Sequence, residues 1–479
     1  MDPAQLPPAP DSAAQAADAA AFPGTVPECH AVIVQLLDRV RKLEERVNLD
    51  SNNSSKPPSS NGPGKLHRSH RRRSGRRRGA QPGHKGHSRA LLDASKVDAL
   101  VDCKPDAVCT CGAPMHLDDE PRRHQVFDVP PMRARVDEYR IYSGRCKACG
   151  KTESGALPAG VPTGQIGPRA LALVGVLGTR YHLTQRKIRN LLAQLVGLDF
   201  SVGAISQAQG KVANALKTPV AQAASALASA PALWMDETTY PREGRTNWVW
   251  AAVQPKLAVF SVFPSRARYV LLELLGQNSA AVITSDRYAA YACVDPARRQ
   301  VCWAHLLRDF NRIGQRAGQA GKVGERLLGL GLVMFRLRER GALQGLRLEG
   351  LQRRFKATLE RGVGQRACTR TANTCANLLH LWPSLWTFTA DASLAPTNNA
   401  AEQALRSLVL KRKISGPTRS LRGDQFLARG YTAHETCLRQ GRDLWDFMHQ
   451  AVRAFIAGTL APSLLPTAHS PRLEAVPTG

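Results

Sequence analysis

The first regular pattern of apolar side chains lies close to the N-terminus. Its members recur at alternating steps of three and four residues, at Ile33, Leu36, Val40, Leu43 and Val47. This spacing, with Arg, Glu and Lys on the other faces, predicts a short coiled-coil-like helix over residues 31–50. Two interpretations stay open, because the stripe fits a dimer of two such helices as well as one amphipathic helix packed on its own protein.

Helical spacing returns over residues 156–228. Thr184 fits the N-cap of a helix that runs to Val196, and Ser201 fits the N-cap of a second helix that runs to Lys211. Helix, tight turn and helix is the outline of a helix-turn-helix, whose second helix is available to a DNA groove. Three helices that pack together without any role in DNA binding would leave the same pattern.

After residue 228 the apolar positions come in short runs typical of strands. The runs are Leu233–Asp236, Trp248–Val253, Ala258–Phe263, Ala281–Asp286 and Val301–His305. An apolar helix over Tyr269–Leu275 separates the third run from the fourth. Three strands, a helix, a strand, a helix and a strand is the element order of the ribonuclease-H-like fold, which we predict for residues 229–309.

Three carboxylates stand at positions that suit a metal site. Asp236 and Asp286 end the first and fourth predicted strands, and Glu402 lies near the start of a later helix. In open α/β sheets functional side chains collect at strand ends, and hard cations such as Mg²⁺ prefer carboxylate oxygens. Each residue also has an ordinary structural explanation, since an aspartate often closes a turn and Glu402 can pair with Arg406 one helical turn further on.

Composition points to a nucleic-acid partner. The chain of 479 residues has 66 Lys and Arg against 38 acidic residues, a net charge of +28, and such an excess attracts a polyanion. A membrane surface is the competing partner, but the sequence has neither a spanning apolar run nor a signal peptide. We therefore expect a cytoplasmic protein without a membrane partner, and its length predicts roughly two to four domains.

The positive charge is concentrated in a basic arm. From Lys65 to Arg89 there are ten Lys or Arg, four His and no acidic residue. A run of one sign repels itself, so we expect residues 51–100 to be an extended, disordered arm. Its arginine triplets would neutralise DNA phosphates whatever the base sequence. They are Arg71, Arg72, Arg73, Arg76, Arg77 and Arg78. The alternative is a solvated tail.

Two close pairs of cysteines follow the arm, each with a glycine directly after it. They are Cys109 with Cys111, and Cys146 with Cys149. Such pairs are typical of the two knuckles of a zinc ribbon, so we predict a structural zinc site in residues 101–155, with strand-like stretches such as 135–143 between the knuckles. The first pair is C-x-C rather than C-x-x-C, and Cys103 is a spare ligand. Four buried free thiols are the alternative.

From its N-terminal helix to about Leu427 the chain resembles the insertion sequence 66 family of bacterial DDE-type transposases. The motifs of the resemblance are the Ser54–Ser59 segment, the cysteine pairs, Asp236-Glu237-Thr238, Ser285-Asp286-Arg287-Tyr288, Cys302-Trp303-Ala304-His305-Leu306 and Asn398-Asn399-Ala400-Ala401-Glu402. The resemblance implies that Asp236, Asp286 and Glu402 are a catalytic triad that binds Mg²⁺ or Mn²⁺. Cys302 and His305 would bind metal or only pack, and packing is the interpretation we favour.

The resemblance also implies the reaction and the partners. Water cleaves a phosphodiester at the end of a mobile element, and the freed 3′-OH attacks a target strand with the help of metal ions. Lys411, Arg412 and Lys413 would hold the incoming strand, or form a solvated basic helix end. The partners would be DNA (the element ends and the target), further copies of the chain in a homo-oligomer, and companion proteins encoded by the same element. The protein would be associated with the nucleoid. A nuclease of the same fold and a catalytically silent DNA-binding regulator are the alternatives.

These patterns and the resemblance together predict a multidomain α+β protein. Its expected parts are disordered residues 1–30, the coiled-coil-like helix over 31–50, the basic arm over 51–100, the zinc-ribbon-like module over 101–155, the helical region over 156–228, the first part of the ribonuclease-H-like core over 229–309, a helical insertion over 310–390, the Glu402-bearing helix of the core over 391–430, and a C-terminal helix and tail over 431–479.

Overall fold

The structure is a computed structural model that describes residues 25–50, 53–54, 79–81, 83–84, 89–118, 120–276 and 279–466. Four predicted features lie wholly or partly outside the described residues. They are the disordered segment as far as residue 24, the Ser54–Ser59 segment after Ser54, the C-terminal tail from residue 467, and the arm arginines Arg71, Arg72, Arg73, Arg76, Arg77 and Arg78. The chain divides into two compact units. Unit 1 consists of Met1–Arg68 and Cys302–Ala390, and unit 2 of Ser69–Val301 and Asp391–Gly479.

Helices form most of the described structure, and a mixed sheet lies in unit 2, in keeping with the predicted α+β class. The elements before that sheet are α1 (Val26–Val47), β1 (Ser143–Arg145), β2 (Thr152–Ser154), α2 (Pro168–Thr179), α3 (Gln185–Val196), α4 (Val202–Ala215) and α5 (Lys217–Ala228). The sheet region contains β3 (Ala232–Thr239), β4 (Trp248–Gln254), β5 (Leu257–Phe263), α6 (Arg268–Leu275), β6 (Val282–Ser285) and β7 (Arg299–Val301).

The rest of the chain is helical. It contains α7 (Trp303–Gly314), α8 (Gly318–Glu339), α9 (Gly345–Val363), α10 (Thr369–His380), α11 (Trp382–Trp386), α12 (Asn399–Ser415), α13 (Leu421–Gln440) and α14 (Leu444–Ala457). None of the described helices combines the length and the apolar character needed to cross a lipid bilayer.

Helix α1 begins earlier than its apolar stripe indicates. The Thr25 hydroxyl accepts a hydrogen bond from the Glu28 N–H at 3.4 Å, and the Glu28 carboxylate accepts one from the Thr25 N–H at 3.2 Å. This capping box, with Pro27 in the first turn, satisfies N–H groups that the start of a helix leaves open. Residues 26–30 are therefore helical, and their assignment to a disordered segment was wrong.

The central sheet has the strand order β5-β4-β3-β6-β7. Strands β3, β4 and β5 form an antiparallel meander, while β6 runs parallel to β3 and β7 parallel to β6. The connection from β6 to β7, described throughout, contains 3-10 turns at Ala289–Cys293 and Pro296–Arg298 and no α-helix. The predicted element order has a second helix between the fourth and fifth strands, and this part of the prediction is wrong.

Three predicted strands need correction. The fifth strand lies at Arg299–Val301, because Cys302 is the N-cap of α7 and the following residues are helical. Strand β3 continues past Asp236 to Thr239, since these residues pair with β4. The stretch 135–143 is a strand only at Ser143, because its earlier residues join no ladder in the described part of the chain.

The two faces of the sheet pack against different helices, and strand alternation decides which face each side chain meets. Val249 and Ala251 of β4 belong to a buried cluster with side chains of α12 and α13. Trp250, between them, belongs to a larger cluster with side chains of α2, α4, α5 and α14. Successive strand residues point to opposite faces, so the apolar run of this strand is buried on both sides.

Helix α13 covers the edge strand β5 through two threonines. The Thr432 hydroxyl accepts a hydrogen bond from the Phe260 N–H at 3.0 Å. The Thr436 hydroxyl accepts from the Ala258 N–H at 3.2 Å and donates to the Ala258 carbonyl at 3.0 Å. Side chains four positions apart on a helix lie on one face, and alternate strand residues share an edge. The exposed ladder of an edge strand is thus satisfied within the protein.

The two capped helices of the helical region are present. The Thr184 hydroxyl accepts from the Lys187 N–H at 3.2 Å, and the Ser201 hydroxyl accepts from the Ala204 N–H at 3.1 Å. Gly197 ends α3 with a φ of +71°, a conformation that glycine adopts without strain.

Helix α4, the second of this pair, is buried along much of its length. Ile205, Ala208 and Val212 are inaccessible to solvent, and the helix packs on α2, α13 and α14. A recognition helix needs an open face for the groove. The packing of α4 therefore favours the interpretation in which these helices support the fold.

Unit 1 contains the helical insertion, which begins with α7 ahead of the predicted residue 310. Its core holds an aromatic cluster in which the Trp303 ring lies 5.4 Å from Phe355 and 5.2 Å from Trp386, both edge-on. Such pairs contribute about 0.5–1.5 kcal/mol each beyond their buried area. The Trp303 indole N–H donates to the Leu385 carbonyl at 2.7 Å, so the beginning and the end of the insertion are joined.

Candidate active site

Asp236 lies in β3 on the face covered by α12. Leu233 and Met235 belong to the cluster on one face of the sheet, and Trp234 packs with the cluster on the other. Because strand side chains alternate, Asp236 shares the face of Trp234. Its side chain is partly exposed, and its Oδ1 accepts a hydrogen bond from the Glu237 N–H at 2.9 Å.

Asp286 stands level with Asp236 on the neighbouring chain segment. Strands β3 and β6 are parallel with Trp234 opposite Thr284, and each aspartate comes two residues later. Adjacent strands lie about 4.8 Å apart, so the register brings the two carboxylates to the same edge. Asp286 Oδ1 also accepts from the Tyr288 N–H at 2.8 Å, which closes the turn after β6.

Glu402 lies in the first turn of α12, and a buried amide fixes that turn on the sheet. The Asn398 side chain donates from Nδ2 to the Met235 carbonyl at 2.8 Å. Met235 directly precedes Asp236, so this hydrogen bond ties the start of the Glu402 helix to the strand of the first carboxylate. A helix N-terminus also favours a negative charge.

The charges of the site act on Asp236. Burial raises the pKa of Asp236 well above its ordinary value, and the carboxylates of Glu237, Asp286 and Glu402 raise it further against the effect of the Glu237 N–H. The oxygens of Asp236, Asp286 and Glu402 are spread wider than 4.8 Å. The negative charges of the other carboxylates are thus close enough to disfavour the ionised form of Asp236. The oxygens of the three side chains still lie more than 4.8 Å apart in at least one pair.

This donor set fits a hard divalent cation. The three residues are partly exposed as wholes, and they belong to elements fixed by the fold. Carboxylate oxygens are the ligands that Mg²⁺ and Mn²⁺ take, and a cation relieves the repulsion that raises the pKa of Asp236. The residue types therefore fit the metal that the resemblance implies, although their oxygens as placed do not close on a single ion.

Glu237 points to the opposite face of the sheet and forms a separate cluster. Its side chain is 1% exposed, pairs with Arg266 at 2.7 Å and accepts from the Tyr291 hydroxyl at 2.8 Å. Arg266 in turn stacks on the Tyr288 ring. Burial raises the pKa of Glu237, whereas the bonds from Tyr291 and Arg266 lower it. This cluster is not among the sequence predictions, although two adjacent acids in one strand of a sheet covered on both faces require that one of them faces inward.

The basic residues at the end of α12 differ in their surroundings. Lys411 Nζ donates to the Leu183 carbonyl at 2.9 Å, and burial lowers the pKa of Lys411 to about 8. Arg412 donates to the backbone carbonyl and the hydroxyl of Thr239. A solvated basic end is therefore the wrong interpretation for Lys411 and Arg412. The contact with a DNA strand stays a prediction, for which Lys413 offers an exposed side chain.

Each cysteine pair forms a local turn. The Gly112 N–H donates to the Cys109 carbonyl at 2.8 Å, and the Gly150 N–H donates to the Cys146 carbonyl at 2.9 Å. Hydrogen bonding to the second cysteine of the pair lowers the pKa of Cys109 and of Cys146. No three of the four sulfurs, all in described residues, lie within 4.8 Å of one another. The two turns as placed do not form one tetrahedral zinc site.

Cys302 and His305 lie at the start of α7 in unit 1. Cys302 is the N-cap residue and is fully buried, while His305 is partly buried in the first turn. Metal binding by Cys302 and His305 and a role in packing alone both stay predictions.

The comparison with protein families assigns the chain. Residues 163–425, more than half of the 479 residues, match the model of the Transposase IS66 family, and this range includes Asp236, Asp286 and Glu402. The match places the chain among the transposases. It belongs to the IS66 family of these enzymes. Residues 7–90 also match a family of unknown function (DUF6444). No match was found among curated proteins.

Proposed function

We propose that the protein binds the ends of a mobile DNA element and catalyses metal-dependent cleavage and strand transfer there. The meeting of Asp236, Asp286 and Glu402, from β3, the end of β6 and the start of α12, is the observation that carries the proposal. The strand order, an antiparallel meander extended by two parallel strands, supports a ribonuclease-H-like core around this DDE triad.

In this proposal the three carboxylates hold two Mg²⁺ or Mn²⁺ ions. The ions would activate the attacking oxygen and neutralise charge on the phosphate and the leaving oxygen. The contribution of the protein chain is to hold the carboxylates in fixed positions. Asn398 holds the helix of Glu402 on β3, and the turn closed by Tyr288 fixes the carboxylate of Asp286. Groups held rigidly in this way need little reorganisation during the reaction.

Two further sites belong to the proposal. Arg71–Arg73 and Arg76–Arg78 of the basic arm would supply salt-sensitive DNA affinity. Lys413, at the end of the helix that carries Glu402, would be a further contact. The thiols Cys109, Cys111, Cys146 and Cys149 would hold a structural zinc ion, a prediction that rests on the residue types and on the two turns.

The proposed substrate also determines where the protein works and with what. An enzyme that acts on chromosomal DNA works beside the nucleoid in the bacterial cytoplasm. We propose that it acts there as a homo-oligomer, together with companion proteins of the same element.

A joining assay tests the proposal. The purified full chain is incubated with a pre-cleaved end from the DNA that flanks its gene and with a plasmid target. Joined product should form with Mg²⁺ or Mn²⁺ and not with Ca²⁺, because Ca²⁺ supports binding with little chemistry. Asp286→Asn should abolish joining while DNA binding survives. Asp295→Asn, an exposed turn aspartate nearby in the sequence, is the matched control.

The same assay separates the alternatives. Cleavage without joining would favour a nuclease of the same fold. DNA binding without either reaction, in every divalent metal, would favour a silent regulator and contradict the proposal.

A further inference from the structure

On the face of the sheet opposite the three carboxylates, a buried ion pair connects the segments that carry Asp236 and Asp286. Glu237 directly follows Asp236 in β3, and its side chain is 1% exposed. Its Oε1 accepts a hydrogen bond from Nη2 of Arg266 at 2.7 Å, and its Oε2 accepts one from the Tyr291 hydroxyl at 2.8 Å. Both carboxylate oxygens of Glu237 are thus bound by groups from outside β3.

The guanidinium group of Arg266 also lies between two aromatic rings. Its Cζ atom is 3.5 Å from the centre of the Tyr288 ring and 4.5 Å from the centre of the Trp248 ring in β4. Stacking on flat rings holds a planar guanidinium in one orientation. Arg266 therefore fixes Tyr288 against β3 through Glu237 and against β4 through Trp248.

Tyr288 belongs to the turn that carries the second carboxylate. Its N–H donates to Asp286 Oδ1 at 2.8 Å, so a shift of Tyr288 moves the donor that orients Asp286. From another side, Nη2 of the buried Arg299 donates to the Asp286 carbonyl at 2.9 Å. The ladder with β4 holds Asp236, whereas Asp286 comes just after the end of β6 at Ser285. The contacts around the turn therefore orient Asp286.

We propose that Arg266 is a positioning residue of the metal site, a role that rests on the function proposed above. Through Glu237 and Tyr288, Arg266 fixes the turn of Asp286 relative to β3. It thereby keeps the carboxylates of Asp236 and Asp286 within reach of a shared cation. Residues that orient metal-binding side chains in this way affect metal affinity by about 10- to 100-fold.

Charge and position lead to opposite expectations for Arg266. If Arg266 acted only through its charge, its removal would strengthen the binding of a cation, because a repelling positive charge near the site would be gone. If Arg266 positions Asp286, its removal should weaken the binding of a cation even though that repulsion is lost. The sign of the change in affinity therefore separates the two roles.

The experiment measures the Mn²⁺ affinity of the full chain, without DNA, from the electron paramagnetic resonance signal of unbound Mn²⁺. Asp286→Asn should abolish the binding, which assigns the measured site. Arg266→Met should weaken it about tenfold, and Arg266→Lys, which keeps the charge but not the flat group, should weaken it less. Arg268→Met is the matched control. Arg268 is exposed and lies two positions further on, so its loss should not weaken binding.

A second pair of variants leaves the ion pair in place and decides the question if Arg266→Met fails to fold. Tyr288→Leu removes the ring next to Arg266 but keeps the N–H that binds Asp286, so it should also weaken Mn²⁺ binding. Tyr288→Phe keeps the ring and should retain most of the affinity. Thermal unfolding measures the stability of each variant. A purely structural role would lower the melting temperature while the folded variant bound Mn²⁺ as the wild type does.

Several outcomes would overturn the positioning role. They are unchanged or tighter Mn²⁺ binding in Arg266→Met, equal affinities of Tyr288→Leu and Tyr288→Phe, binding that survives Asp286→Asn, and a wild type that binds no Mn²⁺. The joining assay answers a separate question. A wild type that binds Mn²⁺ through Asp286 but joins no DNA would contradict the proposed function, and the measured affinities would still decide the role of Arg266.

Discussion

The carboxylate cluster and the cysteine pairs are both candidate metal sites, but the chain builds them in opposite ways. Asp236, Asp286 and Glu402 come from distant parts of the sequence and are fixed by the sheet register and by the bond from Asn398 to Met235. The cysteine turns are closed by bonds between residues three and four positions apart, and the side chains around them are exposed. Contacts between distant elements of the fold thus bring the first set of side chains to one edge of the sheet. At the second, binding energy from the metal would have to gather the pairs.

The largest effect should come from removing a carboxylate, and it should separate activity from stability. Asp236→Asn should lower cleavage and joining by on the order of 10³-fold or more, because the proposed triad would act as a unit, and a second substitution in it should add little. The same change removes a charge that its neighbours repel, so the melting temperature should stay level or rise. Activity near wild type, or a large loss of stability, would contradict a site built by the fold. The joining assay and thermal unfolding measure the two quantities.

The next largest effect concerns the cysteine module. Cys146→Ser combined with Cys149→Ser should remove the zinc and make residues 100–155 sensitive to protease. The free energy of unfolding of the sheet region should stay within about 1 kcal/mol of wild type, because a structural zinc ion stabilises only the segments that it joins. Zinc analysis and limited proteolysis measure the outcome. Protein that purifies without zinc, together with a double variant that is equally resistant, would show that the module needs no metal.

A smaller effect is expected in the pH dependence of metal binding. In the folded protein the pKa of Asp236 lies above its ordinary value of 3.8. The protonated Asp236 side chain therefore contributes to the stability of the fold at pH values below 3.8. This contribution is lost as the pH rises through the raised pKa. A bound cation has to displace the same proton, so Mg²⁺ affinity should rise with pH across this interval.

Calorimetry measures the proton. Titration of Mg²⁺ into the protein in two buffers of different ionisation enthalpy should reveal proton release that Asp236→Asn loses. Asp199→Asn, an exposed aspartate paired with Arg189, should keep it. Equal proton release in both variants would place the titrating group elsewhere.

The smallest effect tests how the fold supports the carboxylate site. Asn398→Ala should lower the free energy of unfolding by about 1–3 kcal/mol, because it leaves the buried Met235 carbonyl without its donor. It should also reduce joining, by less than a triad substitution does, since Glu402 keeps its charge and loses only its support. Asn399→Ala alters the next residue, which is exposed, and should change neither denaturant unfolding nor joining. Similar behaviour of the two variants would argue against the tether.

The sequence was most informative where the pattern is local. The positions of β4, β5, α6 and β6 follow from apolar runs, and the caps at Thr184 and Ser201 follow from residue type. The fifth strand was misplaced because Val301–His305 is apolar enough for a strand or for the first turn of a helix. The Thr25–Glu28 capping box is also a local signal, since a Thr with a Glu three residues later is typical of a helix start.

Long-range contacts could not be predicted in this way. Asn398 and Met235 are 163 positions apart, and no periodicity links them. The prediction that Asp236 and Asp286 end strands is wrong for Asp236, which lies inside β3, and the meeting of the two residues depends on the parallel register of β3 and β6. Likewise, the basic triplet Lys411–Lys413 gave no indication that two of its members bind backbone carbonyls, because burial is a property of the assembled helices.

The hydrogen bond between Trp303 and Leu385 affects how readily the chain can close the loop that ends at the carboxylates. These two residues are 82 positions apart, so a folded insertion with joined ends removes about half of the 163 positions between Met235 and Asn398. Loop-closure entropy grows only with the logarithm of length, about 0.6 kcal/mol for each doubling. The insertion therefore adds very little to the entropic cost of bringing the carboxylates together, and a longer or shorter insertion would change that cost little as long as its two ends stay joined.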